Sequence, residues 1–444
     1  MTNKNKFETT LRRALEQGWI REEDSSVILY DLTFLEKRIE YLRSLFPVGT
    51  LHGLAVKANP LIRIMEMSRN LGMGVEAASM GEVSLALKTG YPPEKIVYDS
   101  PVKTIREIEF ALRNGIHINI DNLSELKRVD NLLNSMETRS TIGIRINPQV
   151  GVGSILESSV AGEYSKFGIP IRTGQAALEK AFLDYPWLTG VHLHVGSQGC
   201  PLSLLIDGIG VLYDFTLEIN EKRRQRAIPP VNVFDIGGGL PVSYRSDADP
   251  PSMEEYVNAI RNRAPRLLTA DWRLITEFGR WTYTNAGWTV SRVEYVKHDP
   301  GIHTAMIHVG ADLFVRECLN PKDWQHEYSL FDSRGRLKKS AVGSRQSIDE
   351  LRVTSDELRT PDEPYNLAGP LCFSGDILAK GVMLPPVEEG DCIAIHDTGS
   401  YTFSMWSRYN SRQSPRILGY TNDGEHFEIL KERETLDDVA GFWG

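Results

Sequence analysis

The chain has 444 residues with a hydrophobic fraction of 41%, which is enough apolar material for a large core and indicates two domains. Its net charge of −9 disfavours nucleic acids and anionic membranes as partners, and no apolar run is long enough to span a bilayer. The polar start shows no secretory signal, and the four cysteines lack metal-ligand spacing. We therefore expect a reduced, cytoplasmic protein.

The first two thirds of the chain alternate between strand and helix patterns. Residues 1–24 indicate a short helix, and residues 27–31 a strand that leads into a helix over 32–46. Eight strand–helix units follow, which predicts an α/β fold with a (β/α)8 TIM-like barrel over residues 27–286. The eight strand-like runs are 51–58, 72–79, 95–100, 116–121, 141–147, 190–197, 231–237 and 273–278.

After Ala286 the segments become shorter and alternate between polar and apolar residues. This pattern predicts a β-rich domain built from residues 287–444 together with 1–26. Residues 332–363 within it are polar and charged, which indicates a surface insertion or loop. The candidate strands are 288–296, 304–309, 382–384 and 392–396.

Polar and glycine residues end several predicted barrel strands. Catalytic groups of such barrels lie at the carboxyl ends of the strands, so these residues should converge on one mouth. They are Lys57, Glu76, Arg145, Asn147, His194, Gly196, Ser197, Gly237, Gly238, Gly239, Glu277, Gly279 and Arg280.

Lys57 is the first of these strand-end residues. It follows the apolar run Leu54-Ala55-Val56, where loss of hydration lowers the pKa of a lysine and frees its amine as a nucleophile. The alternative is an ordinary solvated lysine at the end of a strand.

Gly237, Gly238 and Gly239 follow an apolar strand. Glycines in this position let backbone N–H groups approach a phosphate closely, although a tight turn without a ligand has the same pattern. The spacing does not match a dinucleotide-binding fingerprint.

His192 and His194 are two residues apart on a strand, so both should point to one face. Barrel metallohydrolases use such pairs as metal ligands, but further histidines ending later strands are missing here. We therefore expect no metal. A histidine that packs on an aromatic cofactor ring fits better, and a hydrogen-bonded core histidine is the alternative.

Glu277 and Arg280 end the last barrel strand. A carboxylate aimed at a pyridine nitrogen would keep that nitrogen protonated and make the ring an electron sink. The alternative is a salt bridge inside the barrel, either between these two residues or with a neighbour.

Cys372 lies between turn-forming residues in the sequence GPLCFSGD at 369–376. A thiol near the surface of a domain or subunit could donate a proton, whereas a buried, inert cysteine is the alternative.

Together these segments resemble the fold-type-III decarboxylases that depend on pyridoxal phosphate, the family of diaminopimelate, ornithine and arginine decarboxylases. The resemblance covers nearly the whole chain, from Tyr30 to Asn410. Nine motifs occur in the family's order: AVKAN at 55–59, EAAS at 76–79, RINP at 145–148, KFG at 166–168, HVGSQ at 194–198, DIGGG at 235–239, EFGR at 277–280, GPLC at 369–372 and DTGSY at 397–401.

The resemblance implies an alanine-racemase-like barrel with a β domain, and a homodimer whose active sites are shared between subunits. It implies that Lys57 binds pyridoxal phosphate covalently, that His194 packs on its ring and that Cys372 donates a proton in the partner's site. Glu277 would bind the ring nitrogen; racemases of this fold use arginine there, so the acid favours decarboxylation. The implied cofactor-binding residues are Lys57, Glu76, Arg145, His194, Ser197, Gly238, Gly239, Glu277, Gly279, Arg280 and Tyr401.

Three departures from the family concern the substrate. Phe373 replaces the glutamate that follows the cysteine in diaminopimelate decarboxylases, and Phe278 replaces a proline. In the stretch GADLFVR at 310–316, Asp312 keeps the family register, but Arg316 comes one place late.

These departures favour an amino-acid substrate with one distal cationic group, ornithine- or lysine-like, of either configuration, or a derivative. Arg316 turned inward would instead favour a distal carboxylate. A fold-type-III racemase and a non-catalytic homologue that binds pyridoxal phosphate are the alternative functions.

Overall fold

The computed structural model describes residues 3–269, 271–339 and 361–444. Most of the predicted insertion at 332–363 therefore lies outside the described residues. The strands are β1 Ser26–Asp31, β2 Leu51–Ala55, β3 Gly74–Ala77, β4 Ile96–Asp99, β5 His117–Ile120, β6 Ile142–Asn147, β7 Ile169–Pro170, β8 Leu188–His192, β9 Val233–Asp235, β10 Arg273–Thr276, β11 Gly287–Asp299, β12 Ile302–Ile307, β13 Tyr328–Phe331, β14 Glu363–Ala368, β15 Ile377–Leu384, β16 Cys392–Ile395, β17 Arg416–Thr421 and β18 His426–Lys431.

The helices alternate with the strands through the first part of the chain and become sparse after it. Several begin at a residue whose side chain caps the first turn; Thr104 and Ser252, for example, form capping boxes with Glu107 and Glu255. Over the described ranges, none of the helices has the length and apolar character needed to cross a membrane. The helices are α1 Asn3–Glu16, α2 Leu32–Leu45, α3 Ile62–Asn70, α4 Met80–Lys88, α5 Ile105–Asn114, α6 Leu123–Leu133, α7 Ile171–Asp184, α8 Leu202–Gln225, α9 Met253–Arg263, α10 Gly279–Tyr283, α11 Val315–Leu319 and α12 Leu436–Trp443.

Eight parallel strands close into a barrel. Their order is β2-β3-β4-β5-β6-β8-β9-β10, and β10 pairs with β2 to close the ring. The short β7 adds to β6 outside this ring. The predicted (β/α)8 barrel is confirmed, and its eight strands lie within or beside the eight predicted runs.

The barrel strands are short and almost completely buried, as expected for strands covered by helices on the outside and by each other on the inside. Small residues let them approach closely. A Cβ atom on Gly190 of β8 would lie 2.9 Å from the Cα atom of Gly143 on β6. All eight carboxyl ends therefore lie at one end of a tightly closed ring.

The second sheet is mainly antiparallel, with the order β15-β14-β12-β11-β1-β17-β18, and β16 joins β11 to β13. Its core packs Trp288 and Leu418 of the sheet against Leu11 of α1, and the ring of Phe7 stacks on Trp288 with centroids 4.5 Å apart. The predicted β-rich domain is thereby confirmed as a fold element.

The chain forms two compact units. The barrel unit comprises Leu35–Ser243 and Ala248–Thr284, and the β-rich unit comprises Met1–Phe34, Tyr244–Asp247 and Asn285–Gly444. Strand β1 pairs with β11 and β17, so residues 27–31 belong to the β-rich sheet rather than to the barrel. The domain bounds given above from the sequence differ at this point, because a short apolar strand such as β1 does not reveal its partners.

Candidate active site

Lys57 lies directly after β2, in a single helical turn at Val56–Ala58. Its neighbours Val56 and Ala58 are buried, while its own side chain is 39% exposed. The amine Nζ lies 2.5 Å from Oε2 of Glu76, which is the second-last residue of β3 and has a completely buried side chain. The amine of Lys57 therefore contacts a buried carboxylate at the barrel mouth, while part of the side chain is exposed to solvent.

Glu76 is one of several acids crowded at this mouth. The pKa of Glu76 is raised to about 8, chiefly by burial; Lys57 opposes the shift, and the charges of Glu277 and Asp99 add to it. A carboxyl group with this pKa holds or shares a proton near neutrality. Glu76 can therefore exchange a proton with the amine of Lys57.

Glu277 follows β10 and points into the same cluster with a side chain that is 2% exposed. Its Oε2 lies 3.5 Å from Nδ1 of His194, and its Oε1 lies 3.7 Å from Nε2 of His192. Among the described residues, Oε1 has no hydrogen-bond partner. Burial raises the pKa of Glu277 to about 7; Lys57 opposes the shift and Asp99 adds to it.

His194 is held in its neutral form. Its Nδ1 accepts a hydrogen bond from the backbone N–H of Gly238 at 3.2 Å. Burial, together with the charges of Arg145 and Lys57, lowers the pKa of His194 to about 3. The side chain of His194 is 20% exposed, and its neutral ring is suited to pack on a flat ligand.

Arg145 does not point at open space but binds Asp99, which ends β4. Its Nη1 lies 2.7 Å from Oδ2 of Asp99, and its guanidinium carbon lies 4.5 Å from the centre of the Phe167 ring. Sequence reasoning named Arg145 but missed Asp99. Its position in the sequence could have identified Asp99, because it lies near the end of a predicted barrel strand, as Lys57 and Glu277 do.

The glycine turn after β9 packs tightly against neighbouring backbone. Gly237 and Gly239 have φ values of 63° and 102°, which side chains other than glycine rarely adopt. A Cβ atom on Gly239 would collide with the carbonyl oxygen of Gly196, and one on Gly238 with that of Glu277. Only glycine allows this close packing against the neighbouring backbone, and the approach to a phosphate stays a prediction.

Arg280 and Ser197 form a second polar group of the barrel unit. Nε of Arg280 donates to Oγ of Ser197 at 2.9 Å, although the residues are far apart in sequence. Arg280 is 7% exposed. From the sequence we considered a salt bridge between Glu277 and Arg280. The Nε atom of Arg280 instead contacts Ser197.

Five of the predicted site residues lie in the β-rich unit: Asp312, Arg316, Cys372, Phe373 and Tyr401. Nη2 of Arg316 donates to the carbonyl oxygen of Tyr401 at 2.9 Å, and its guanidinium carbon lies 4.1 Å from the centre of the Trp324 ring. Tyr401 adopts a φ of 53°, a strained conformation for a tyrosine. Arg316 therefore supports the backbone at Tyr401.

Cys372 is an exposed free cysteine. Its backbone N–H donates to Oδ1 of Asn410 at 2.8 Å. The next residue, Phe373, is 38% exposed and meets the ring of Tyr409, itself 50% exposed, edge-on with centroids 6.1 Å apart. The thiol is therefore accessible at the surface of its unit, and the buried alternative considered from the sequence is wrong.

Comparisons with known proteins identify the chemistry of this arrangement. The family profile described as "Pyridoxal-dependent decarboxylase, pyridoxal binding domain" matches residues 32–284. The diaminopimelate decarboxylase of Pseudomonas aeruginosa is 31% identical over 387 residues, covering 87% of this chain and 84% of that protein. The diaminopimelate decarboxylase of Archaeoglobus fulgidus is 28% identical and covers 95% of this chain and 93% of its own.

Solved structures agree with the fold. Diaminopimelate decarboxylase from Helicobacter pylori, complexed with L-lysine, has a TM-score of 0.79 at 26% identity and covers 96% of this chain and 99% of its own. Lysine/ornithine decarboxylase from Vibrio vulnificus, complexed with putrescine, has a TM-score of 0.71 at 21% identity, covering 93% and 98%. At 21% identity, the similarity to the Vibrio vulnificus structure shows a shared fold.

The residues at the barrel mouth fit pyridoxal phosphate. The buried Oε1 of Glu277 and both nitrogens of His192 lack hydrogen-bond partners among the described residues, so these polar atoms could still accept or donate. Backbone N–H groups of a glycine turn, an arginine and a serine are the kinds of groups that bind phosphate. The barrel unit therefore contains an amine, a buried carboxyl group and groups able to bind an anion.

Replacing Lys57 by alanine is expected to abolish covalent attachment of pyridoxal phosphate and turnover while the fold is retained. The side chain of Lys57 is 39% exposed, and Glu76 can keep its own proton once the lysine is gone. Mass spectrometry after borohydride reduction, with a melting curve, measures both properties. Lys95→Ala, which removes a half-buried lysine that donates to the Gly72 carbonyl, is the control. A reduced cofactor adduct in Lys57→Ala would contradict the assignment.

Replacing Arg280 by methionine is expected to weaken cofactor affinity by about tenfold to a hundredfold, the usual loss for a hydrogen bond to a charged group. Fluorescence titration of cofactor-depleted protein with pyridoxal phosphate measures the change. Arg273→Met is the matched control, since Arg273 lies at the other end of β10 and donates to the Glu94 carbonyl. Equal affinities of the two variants would show that Arg280 does not hold the phosphate.

Proposed function

Because this chain belongs to the fold-type-III family of amino-acid decarboxylases that depend on pyridoxal phosphate, we propose that it decarboxylates an amino acid with a single distal cationic group. Ornithine- and lysine-like amino acids, of D or L configuration, and their derivatives meet this description. The observation that carries the proposal is the buried carboxylate of Asp312, which is 3% exposed. Carbon dioxide and an amine are the products.

Asp312 is oriented by its own loop. Its Oδ1 accepts the backbone N–H groups of Gly310 and Leu313 at 3.0 and 3.1 Å, while Oδ2 accepts Nε of Arg412 at 3.2 Å. The carboxylate is therefore fixed in direction, and Oδ2 retains a second acceptor position. A substrate ammonium there would form a charge-assisted, partly desolvated contact, which discriminates strongly against neutral side chains.

The neighbouring residues argue against a second distal ionic group. Phe373 presents an apolar ring where diaminopimelate decarboxylases resembling this chain have a carboxylate. Arg316 is engaged by the Tyr401 carbonyl and the Trp324 ring, which reduces its freedom to turn toward a distal carboxylate. Diaminopimelate, the substrate in the relatives' names, carries both an amine and a carboxylate at its far end and would match this set less well.

The roles proposed in the barrel are those that the resemblance to the family implies, and the positions of the side chains support them. Bound pyridoxal phosphate supplies an electron sink for the charge left when the carboxylate departs. Lys57 holds the cofactor and exchanges protons with Glu76 at 2.5 Å, Glu277 binds the ring nitrogen, and neutral His194 packs on the ring. Ser197, Gly239 and Arg280 bind the phosphate. An acid rather than an arginine at the ring nitrogen favours decarboxylation over racemisation.

Cys372 is the proposed proton donor, acting in the site of a partner subunit of a homodimer. Its thiol is exposed, and the apolar rings of Phe373 and Tyr409 beside it are also exposed. Such a patch on one unit is suited to burial against a second copy. The shared site would then need both subunits for complete chemistry.

Replacing Asp312 by asparagine is expected to lower kcat/KM for the best basic amino acid by about tenfold to a hundredfold, because the charge-assisted contact to the distal ammonium is lost. Carbon dioxide release is measured for a panel of D- and L-amino acids with basic, acidic and neutral side chains. Activity of the wild-type protein on acidic side chains alone would contradict the proposal.

Two controls accompany the Asp312 variant. Arg412→Met removes the ion pair of Asp312 but keeps the carboxylate, so it should retain the preference for basic substrates. Asp391→Asn alters another buried, ion-paired carboxylate of the β-rich unit, bound to Lys338 at 2.8 Å, and should leave substrate preference unchanged. Loss of that preference in Arg412→Met would assign Asp312 a structural role.

Replacing Cys372 by alanine is expected to slow amine formation at least about tenfold, since a positioned proton donor contributes more than this to a rate. Mixing inactive Lys57→Ala protein with Cys372→Ala protein should restore activity through hybrid dimers with one intact site. Cys318→Ala, a half-buried cysteine of the same unit, is the control. If subunits exchange without any recovery of activity, the site is not shared.

A further inference from the structure

Asn119 of β5 is a completely buried asparagine in the barrel interior. Such interiors are usually filled by branched apolar side chains, so a polar residue there needs partners. Its Oδ1 lies 3.0 Å from Nε2 of His117, and its Nδ2 donates to Oδ2 of Asp235 at 3.3 Å. Asp235 lies on β9, which is not a neighbour of β5 in the ring. The contact between Asn119 and Asp235 therefore crosses the interior of the barrel.

A glycine on the neighbouring strand makes room for this contact. Gly143 of β6 is in register with Asn119 on one side and with Gly190 of β8 on the other. A Cβ atom on Gly143 would lie 2.5 Å from Oδ1 of Asn119. Any side chain at position 143 would therefore displace the amide of Asn119, so the absence of one there preserves the polar contact across the barrel.

The direction of these contacts determines which nitrogen of His117 carries hydrogen. Because Nδ2 of Asn119 donates to Asp235, the carbonyl oxygen Oδ1 of the same amide faces His117 and requires a donor. Nε2 of His117 therefore carries the hydrogen, and Nδ1 accepts from the hydroxyl group of Thr141 at 2.6 Å. Burial lowers the pKa of His117 to about 4, which agrees with a neutral ring.

Asp235 connects Asn119 to the glycine turn after β9. Its second oxygen, Oδ1, accepts the backbone N–H of Gly237 at 2.9 Å. Burial and the charge of Glu277 raise the pKa of Asp235, whereas its donors Gly237 and Asn119 oppose the shift. In either protonation state each carboxyl oxygen keeps a lone pair for its donor, so both contacts are compatible with a neutral and with an ionised Asp235.

The glycine turn needs such contacts because it has no side chains of its own. Gly237 has a φ of 63°, and glycine loses more conformational freedom on ordering than any other residue. The N–H of Gly237 is held by Asp235, and the N–H of Gly238 by Nδ1 of His194. The orientation of the turn therefore depends on the orientation of the Asp235 carboxyl group, which the amide of Asn119 restricts.

We propose that Asn119 is a positioning residue that holds the glycine turn at 237–239 through Asp235, with His117 orienting its amide. The contacts form one hydrogen-bonded chain from β5 to the mouth of the barrel. A buried polar network whose members are paired is rigid, so the backbone of the turn is ordered before an anion binds. The consequence for the cofactor rests on the proposed binding of its phosphate by Gly239.

The direction of the chain is tested on the unmodified holoenzyme. Nitrogen-15 NMR of histidine-labelled protein should show His117 as the neutral tautomer with hydrogen on Nε2, and loss of this signal in His117→Gln assigns it. Hydrogen on Nδ1 alone would overturn the proposal, because Nε2 would then need a donor and the amide of Asn119 would have to be reversed.

Hydrogen–deuterium exchange of the holoenzyme measures how firmly the turn is held. Asn119→Leu keeps the size of the side chain but removes both amide contacts, and should speed exchange in a peptide spanning 236–243 by about tenfold or more. Asn220→Leu is the matched control, because Asn220 pairs with the backbone of Val231, ahead of the opposite end of β9. This control should lower the melting temperature without speeding exchange in the turn.

Two outcomes of the exchange experiment would overturn the proposal. One is an exchange rate of the turn in Asn119→Leu equal to that of the wild type. The other is equal acceleration in Asn119→Leu and Asn220→Leu, which would show that Asn119 contributes to general stability only.

A conservative pair of variants tests the part assigned to His117. The amide of His117→Gln can still donate to Oδ1 of Asn119, whereas His117→Leu cannot. Exchange in the turn should therefore be slower in His117→Gln than in His117→Leu. Equal exchange in the two variants would contradict the orienting role of His117.

Cofactor affinity separates this inference from the role on which it rests. Fluorescence titration of cofactor-depleted protein with pyridoxal phosphate should show about tenfold weaker binding by Asn119→Leu and no change in Asn220→Leu. Faster exchange with unchanged affinity would refute phosphate binding by the turn but support its positioning by Asn119. Unchanged exchange would overturn the positioning whatever the affinity.

Discussion

The site depends on the burial of several acids at one end of a closed barrel. Glu76, Asp99 and Glu277 lie at or next to the carboxyl ends of three different strands, and closure brings them within electrostatic reach of one another. Removing ionised carboxylates from water is costly unless they are paired or protonated. The structure uses both solutions, because Arg145 pairs Asp99, whereas Glu76 and Glu277 have pKa values raised to about 8 and about 7.

The barrel could be predicted because each of its strands carries a strong local signal. A strand covered on both sides is commonly a short apolar run, as in Ile96-Val97-Tyr98 of β4, and such runs are recognisable one at a time. Strands of the second sheet are harder to recognise. In β18, exposed and half-buried residues alternate, and β13, β14, β17 and β18 were not among the predicted strands. Their existence depends on partners distant in sequence, such as β1 for β17.

The sequence predicted which residues lie in the cluster better than it predicted which residues they contact. Position at a strand end singled out Lys57, Glu277 and Arg145, and the structure brings all three into one cluster. That Arg145 binds Asp99, or that Asp312 is engaged by Arg412, is set by packing between distant segments. The sequence did not decide whether Cys372 is buried or exposed, since turn-forming residues flank both kinds of cysteine.

The balance of charge explains why this cluster suits a cationic ring. With Asp99 ionised against Arg145, Lys57 is the remaining cation that lowers the pKa of both Glu76 and Glu277. One amine cannot compensate both acids, so in the absence of further positive charge at least one keeps its proton. A protonated pyridine nitrogen beside Glu277, as we propose, would supply that charge and release the second carboxylate to its ionised form. In that role the buried Glu277 would stabilise the protonated ring, which is the form that withdraws electrons most strongly.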